Sequence, residues 1–236
     1  MKYRTIRYFH NKIFSSKFFL ENTVKFFYMD KEFYEKAYQS GKTPWSSDTP
    51  EPVFEDFLKK IKPEFDGKSL SCLDIGCGEG RHMIMLKKFF PDSRVFGFDI
   101  LRTPLMKTKQ RISGFQNTYI AVADVFFMPF KSESFDIVLD FGIFHHVRKK
   151  MLRTYKTELM RVLKKGGYFL IGVFSTKFKH HIHEVRKRHF IYHRKHYDRF
   201  FTEETLKQEF DFFKPVEVLE RGKDLEWFIY GLFKKE

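Results

Sequence analysis

The run Leu73-Asp74-Ile75 followed by Gly76-Cys77-Gly78-Glu79-Gly80 limits what this chain can fold into more than any other feature. Three glycines at alternate positions, straight after an apolar strand-sized segment, call for backbone angles that a Cβ opposes. They also let a ligand approach the main chain, while the helix that follows offers its free N–H groups. In an open parallel sheet such a turn lies at the carboxyl end of a strand, where ligands bind near the topological switch point.

The surrounding pattern agrees with that sheet. Strands are expected at Ser71–Ile75, Arg94–Asp99, Thr118–Val122, 135–139 and 168–174, with mostly helical segments between them. Met151, Leu152, Tyr155, Leu159, Val162 and Leu163 mark one face of a helix that Gly166-Gly167 should stop. Apolar strands alternating with helices predict an α/β, doubly wound, mostly parallel sheet covered on both faces. Two further strands in succession, 216–220 and 227–233, follow a helix at 203–210 and predict an antiparallel addition at the sheet edge.

Upstream, Val53, Phe54, Phe57, Leu58 and Ile61 stand at helical spacing, and residues 41–52 are punctuated by Pro and Gly as a loop. Residues 1–40 suggest one or two amphipathic helices. The expected organisation is an N-terminal helical extension and loop (1–52) and one main domain (53–236), with a basic, histidine-rich insertion at 177–201. A length of 236 residues suits one domain with modest additions.

No apolar run approaches the ~20 residues a membrane span needs. Arg4, Arg7, Lys12 and Lys17 interrupt the apolar stretches near the N-terminus, so that segment is read as a helix lying on the domain rather than a signal peptide, with a membrane-surface helix as the lesser alternative. Cys72 and Cys77 lie in one short segment and cannot staple distant parts, which suits a reducing, cytoplasmic setting. The net charge of +14 directs attention to anionic partners, nucleic acid first, unless it reflects a lysine-rich composition alone.

The ligand class follows from the residues around the turn. A dinucleotide turn has the spacing G-x-G-x-x-G; here it is G-x-G-x-G, with Arg81 next. Asp74, inside the strand, would repel a pyrophosphate but suits the ammonium of a methionine-like ligand, to which a sulfonium adds a second positive charge. S-adenosylmethionine is therefore expected over a nicotinamide dinucleotide, and a dehydrogenase is the remote alternative. Asp99 ends the second strand, where an acid can accept hydrogen bonds from both ribose hydroxyls. Asp124 ends the third and can accept from an adenine amino group, with Ile100, Phe126 and Phe127 as candidates to sandwich the base. A single strand-end Asp is more often a helix cap; three in series are far more specific.

These residues resemble a family. Leu73 to Gly80 looks like motif I of class I S-adenosylmethionine-dependent methyltransferases, and Asp99 and Asp124 fall where that family keeps its ribose- and adenine-binding acids. Leu163 to Tyr168 is similar to the turn before its fifth strand. The resemblance covers about residues 45–233 and implies a seven-stranded sheet whose last strand is antiparallel. Thr43-Pro44-Trp45 before the motif, and Gly78-Glu79-Gly80-Arg81 within it, resemble the thiopurine and tellurite-resistance type, which acts on small molecules. In that type an N-terminal segment closes over the cofactor, which would place Trp45 on or beside it; an ordinary core tryptophan is the alternative. The cofactor set so implied is Trp45, Asp74, Gly76, Cys77, Gly78, Arg81, Asp99, Ile100, Asp124, Val125 and Phe141.

Methyl transfer from a sulfonium is an in-line displacement, so the protein mainly supplies alignment and a dry site. A base is needed only if the attacking atom carries a proton. In the loop Asp140-Phe141-Gly142-Ile143-Phe144-His145-His146, His146 or His145 is the candidate base or acceptor-positioning group, against a capping or packing role for each. The loop lacks the Asn/Asp-Pro-Pro-aromatic motif of exocyclic-amine methyltransferases. In the insertion, six histidines and eight Lys or Arg face only Glu184 and Asp198. Three readings compete there: a solvated basic lid, a surface for an anionic substrate or RNA with stacking aromatics, and a metal site from His189, His193 and His196 at helical spacing, which no flanking carboxylate or cysteine set supports. No metal is expected. A small-molecule acceptor is expected, with RNA methylation as one alternative and a non-catalytic cofactor- or RNA-binding protein as the other.

Overall fold

Ser71–Ile75 (β1) is buried at all its positions, as a strand covered on both faces must be. In the computed structural model, which describes residues 31–41, 43, 45–186, 188–193 and 196–236, β1 is central in a seven-stranded sheet. The readings placed on residues 1–30 lie outside the described residues.

Before β1 come α1 (Lys31–Ser40) and α2 (Pro52–Ile61). After it come α3 (Arg81–Phe89), β2 (Arg94–Asp99), α4 (Arg102–Arg111), β3 (Thr118–Val122), β4 (Phe135–Phe141), α5 (Leu152–Val162) and β5 (Leu163–Phe174). A small hairpin, β6 (Phe190–His193) and β7 (His196–Arg199), precedes α6 (Glu203–Glu209), β8 (Lys214–Lys223) and β9 (Glu226–Lys234). The sheet order is β3-β2-β1-β4-β5-β9-β8. The first five strands are parallel, and the antiparallel pairs β5–β9 and β8–β9 form the predicted edge. The last strand is inserted inside β8 rather than outside it.

Each face of the sheet has its own core. On one, Phe54, Phe57 and Leu58 of α2 pack with Met83 and Leu86 of α3 and Leu105 of α4. On the other, Tyr155, Leu159 and Val162 of α5 pack with Leu206 of α6, Phe144, Phe169 and Phe210. Each fully buried aromatic of this kind contributes about 1.5–3 kcal/mol. Among the described residues, no helix is long and apolar enough to cross a membrane.

Two local expectations are corrected. The helix through Tyr155 ends at Val162, not at Gly166-Gly167. Its last carbonyls are satisfied from outside: Glu133 N–H donates to Arg161 O (2.7 Å) and Ser134 N–H to Val162 O (2.9 Å). Leu163 already pairs with Phe135, and Gly166 (φ +76°) lies in the irregular stretch before Tyr168 pairs with Ile137. The second correction is that residues 190–199 form a β-hairpin in which His193 opposes His196, so the helical face expected for His189, His193 and His196 does not exist.

The strand order reverses between β1 and β4, so the glycine turn after β1 and the loop after β4 flank the switch point. That crevice is where an open parallel sheet binds ligands.

Candidate functional site

Gly76 (φ +63°) and Gly78 (φ +51°) are both left-handed. A Cβ on Gly76 would stand 2.2 Å from Ile143 Cδ1 of the loop after β4. Cys77 N–H donates to Phe98 O (2.9 Å), tying the turn to β2. The Cys77 thiol is pushed well up by burial and by the charges of Asp74 and Asp99, so it is no nucleophile. Arg81 opens α3; its guanidinium donates to Thr49 O (3.1 Å), lies 3.3 Å from the Glu51 carboxylate and sits over the Phe141 ring at 5.1 Å. The loop before α2 is thus clamped to the start of α3.

Four carboxylates stand at the strand ends. Asp74 is 2% exposed, and its Oδ2 has no hydrogen-bond partner among the described residues. Burial raises its carboxyl well above the usual range, opposed by the charge of Arg81. Asp99 accepts from Leu101 N–H (2.9 Å) and Gly78 N–H (3.1 Å), so it braces the turn from the neighbouring strand. Burial raises Asp99 to about 6. Asp124 is half-buried, accepts from Phe126 N–H (2.9 Å), and is also raised by burial. Around it Val125 is buried and Ile100 half-buried. The aromatic sandwich is corrected: Phe126 turns into the core, while Phe127 is exposed.

Asp140 is the fourth acid, quoted in the sequence only as part of a loop. It is fully buried and accepts from Ile143 N–H (2.9 Å), Phe144 N–H (3.4 Å) and the Tyr155 hydroxyl. It therefore sets the shape of the loop carrying His145 and His146. Its own signal was the same as that of the other three, an Asp closing an apolar strand.

Helix α1 roofs this floor. Tyr38 Oη accepts from Trp45 Nε1 (3.1 Å) and lies 3.4 Å from where a Cβ on Gly78 would be. Burial raises the Tyr38 hydroxyl above the usual phenol range. Glu35 accepts from Thr103 Oγ1 (2.8 Å) beyond β2. Trp45 meets Tyr34 edge-on at 5.4 Å and Tyr38 at 6.0 Å. Tyr34 in turn meets His146 at 5.8 Å and His196 at 5.3 Å. One short helix spans the crevice from the glycine turn to the histidines; sequence reading named the segment as a cover but not its partners Thr103, His146 and His196, because those contacts each cross more than 60 residues.

The two candidate histidines separate. His145 is buried and stacked on Phe174 at 3.8 Å, with Nδ1 accepting from Phe174 N–H (3.3 Å). Burial holds its pKa well below the usual value, which makes it a neutral packing group. His146 faces Tyr34 and the hairpin instead, its Nδ1 2.8 Å from Asp198 Oδ1. Asp198, on β7, is also approached by His196 Nε2 (2.9 Å) and His180 Nε2 (3.0 Å). Burial would raise Asp198, but these imidazoles outweigh it and hold the carboxyl well below its usual range. Of the three histidines grouped by spacing, His196 is placed here; among the described residues, the grouping with metal-ligand spacing is His146, His196 and Asp198.

The sequence profile of the family described as "Methyltransferase domain" matches residues 66–220. The chain is 25% identical over 143 residues to "Probable thiol methyltransferase 2" of Arabidopsis thaliana, covering 60% of this chain and 61% of that protein. It is 28% identical over 167 residues to "Probable tRNA methyltransferase 9B" of Bos taurus, covering 69% of this chain and 32% of the relative. The match therefore spans less than two thirds of either relative's length. Among solved structures, the 1,6-didemethyltoxoflavin-N1-methyltransferase of Burkholderia thailandensis, holding 1,6-didemethyltoxoflavin and S-adenosylhomocysteine, aligns with a TM-score of 0.66 over 86% of each chain. At 20% identity that likeness is one of fold.

Proposed function

The chain belongs to the methyltransferase-domain family, and on that premise we propose that it transfers a methyl group from S-adenosylmethionine to a small-molecule acceptor. The residues fit the cofactor on their own terms. Asp74 keeps a buried oxygen without a partner among the described residues at the end of β1, and an ammonium satisfies it where a pyrophosphate would be repelled. Gly76 and Gly78 leave the main chain open to close approach. Asp99 is positioned for ribose hydroxyls. Asp124, with Ile100 and Val125, is positioned for adenine. Arg81, Phe141 and Trp45 close the methionine end and the roof.

When bound, S-adenosylmethionine supplies a methyl group already activated on a sulfonium. What remains for the protein is alignment and exclusion of water. Asp140 fixes the loop after β4 by three hydrogen bonds, so Phe141 and His146 are held in place. Tyr34, Trp45 and Tyr38 cover the space between that loop and the glycine turn with aromatic surface.

The single observation that carries the small-molecule reading is this roof. Helix α1 bonds to the region after β2 through Glu35 and to the histidine cluster through Tyr34, and a crevice covered in this way suits a metabolite better than a polymer. The test is transfer of labelled methyl from S-adenosylmethionine into extract separated into metabolite and RNA fractions. Label in the metabolite fraction, lost in Asp99→Ala, is the expected result; no transfer into either fraction would support the non-catalytic alternative.

RNA methylation is the second reading, favoured by the hairpin surface. Tyr192 is 60% exposed with the Arg148 guanidinium 5.5 Å from its ring, and Lys149 and Arg188 lie 5.7 Å from the Phe190 ring. Label in RNA, with an affinity that falls steeply with salt, would replace the metabolite reading with this one.

A further inference from the structure

Methyl transfer makes no demand for a buried carboxylate ringed by imidazoles, yet the hairpin delivers one beside the crevice. Asp198 is 1% exposed. Its Oδ1 lies 2.8 Å from His146 Nδ1 and 2.9 Å from His196 Nε2, and it has no further partner among the described residues. His146 Nδ1 also donates to the Tyr197 carbonyl oxygen at 3.3 Å, with a proton that a bound ion would displace.

Two nitrogens and a carboxylate oxygen converging on one point is a geometry that ligands around a common ion adopt. Ligands bound at about 2.0–2.1 Å stand about 2.8–3.0 Å from one another at octahedral angles and about 3.3–3.4 Å at tetrahedral ones. Here the carboxylate oxygen meets both nitrogens at the octahedral spacing, about 0.5 Å short of the tetrahedral one, and all three atoms lie within 4.8 Å of one another.

The fold explains how the set forms. His196 and Asp198 are two apart on β7 and so share one face of the strand. His146 comes from the turn after β4, about fifty residues earlier. His180, after β5, reaches Asp198 Oδ2 at 3.0 Å and so fixes the carboxylate from its far side, as partners of metal ligands commonly do.

We propose that His146 Nδ1, His196 Nε2 and Asp198 Oδ1 bind one divalent cation of the zinc class. Two imidazoles and one carboxylate suit a borderline metal, whereas magnesium and calcium prefer all-oxygen sets. Three protein ligands leave a fourth position open, on a site whose neighbour in the roof is Tyr34, with Oη 3.4 Å from His196 Nε2. Under the methyltransferase reading, and resting on it, that position takes the thiol or hydroxyl of the acceptor and releases its proton to solvent. His146 then acts as a ligand and not as a base. The metal site itself does not depend on that reading.

The chain of 236 residues, stripped with chelator, is titrated with Co2+ alone and then with Zn2+. One equivalent of Co2+ should bind with visible ligand-field absorption and be displaced by Zn2+. His196→Phe and Asp198→Asn should each abolish saturable binding, and His180→Gln should weaken it roughly tenfold to a hundredfold. S-adenosylhomocysteine binding, measured on the same samples, reports that each variant is folded; if Asp198→Asn fails to fold, His196→Phe carries the test. Absence of stoichiometric Co2+ or Zn2+ binding in the wild type, or unchanged binding in folded His196→Phe, overturns the proposal. Metal binding without S-adenosylhomocysteine binding in the wild type would instead remove the cofactor reading and leave the metal site standing.

Discussion

Replacing Asp74 by Asn should move ligand-free stability and ligand affinity in opposite directions. The carboxyl is 2% exposed and has one oxygen without a partner among the described residues. Burial, with Asp140 and Asp99 nearby, raises its pKa well above the ordinary value. A raised carboxyl pKa means that the folded chain holds the proton more tightly than the unfolded one. The stability it contributes is present below the ordinary carboxylate range and is lost as pH rises toward the folded-state value, at about 1.4 kcal/mol per pH unit. Asp99 and Asp140, both raised to about 6, act in the same direction. Wild-type stability without ligand should therefore decline from the ordinary carboxylate range toward pH 6. Asp74→Asn should make that decline shallower and leave neutral-pH stability unchanged or higher, because it removes the buried charge whose cost grows by about 1.4 kcal/mol per pH unit. Binding responds the other way. A hydrogen bond between charged groups is worth about 1.5–3 kcal/mol, so the Kd for S-adenosylhomocysteine should rise roughly 10- to 150-fold. Urea unfolding across pH measures the first effect and titration calorimetry the second. 5′-Methylthioadenosine, which lacks the amino-acid portion, should bind both proteins equally. Equal weakening for both ligands, or a stability loss above about 1 kcal/mol, would refute the placement of Asp74 against an ammonium.

Asp99→Asn should weaken S-adenosylhomocysteine and 5′-methylthioadenosine alike, by roughly 10- to 100-fold, because both carry the ribose; calorimetry that finds only one affected would contradict its role. Gly76→Ala forces a Cβ into a left-handed position (φ +63°) and against Ile143; it should cost about 1–2 kcal/mol for the backbone and up to about 3 more for displacing Ile143. Urea midpoints should show part of that loss recovered in Gly76→Ala/Ile143→Ala. His145→Phe removes the acceptor of the Phe174 N–H, so it should cost about 1–3 kcal/mol of stability while leaving the pH profile of kcat/KM in place. A shifted profile would mean that His145 moves a proton.

The parallel sheet, the glycine turn and its flanking acids were legible because their signals are local. A strand that is buried on both faces reads as a continuous apolar run, and its last residue faces the crevice whatever the distant chain does. The helix stop at Gly166-Gly167 was misplaced because the true terminus at Val162 is capped by Glu133 and Ser134, some 28 residues away. The insertion resisted reading for a different reason. His189, His193 and His196 fit a helix by spacing, and only the pairing of β6 with β7 reveals period two, which puts His196 beside Asp198 instead. Of the roof, the Pro-Trp loop carried a signal, and Trp45 lies seven residues from its partner Tyr38; the other contacts left none, because the partners of Tyr34 and Glu35 lie beyond β4, beyond β2 and on β7.

The position of β9 between β5 and β8 also bears on how the sheet is assembled and how it fails. β8 is synthesised first, yet it joins the sheet only through β9. The β8–β9 ribbon is a local hairpin, closed by the turn at Asp224, so it can form early and dock as a unit on the finished parallel half. Damage to β9 removes two hydrogen-bonded ladders at once, whereas damage to β8 removes one. Sequence drift should accordingly be tolerated along Lys214–Lys223 and resisted along Glu226–Lys234.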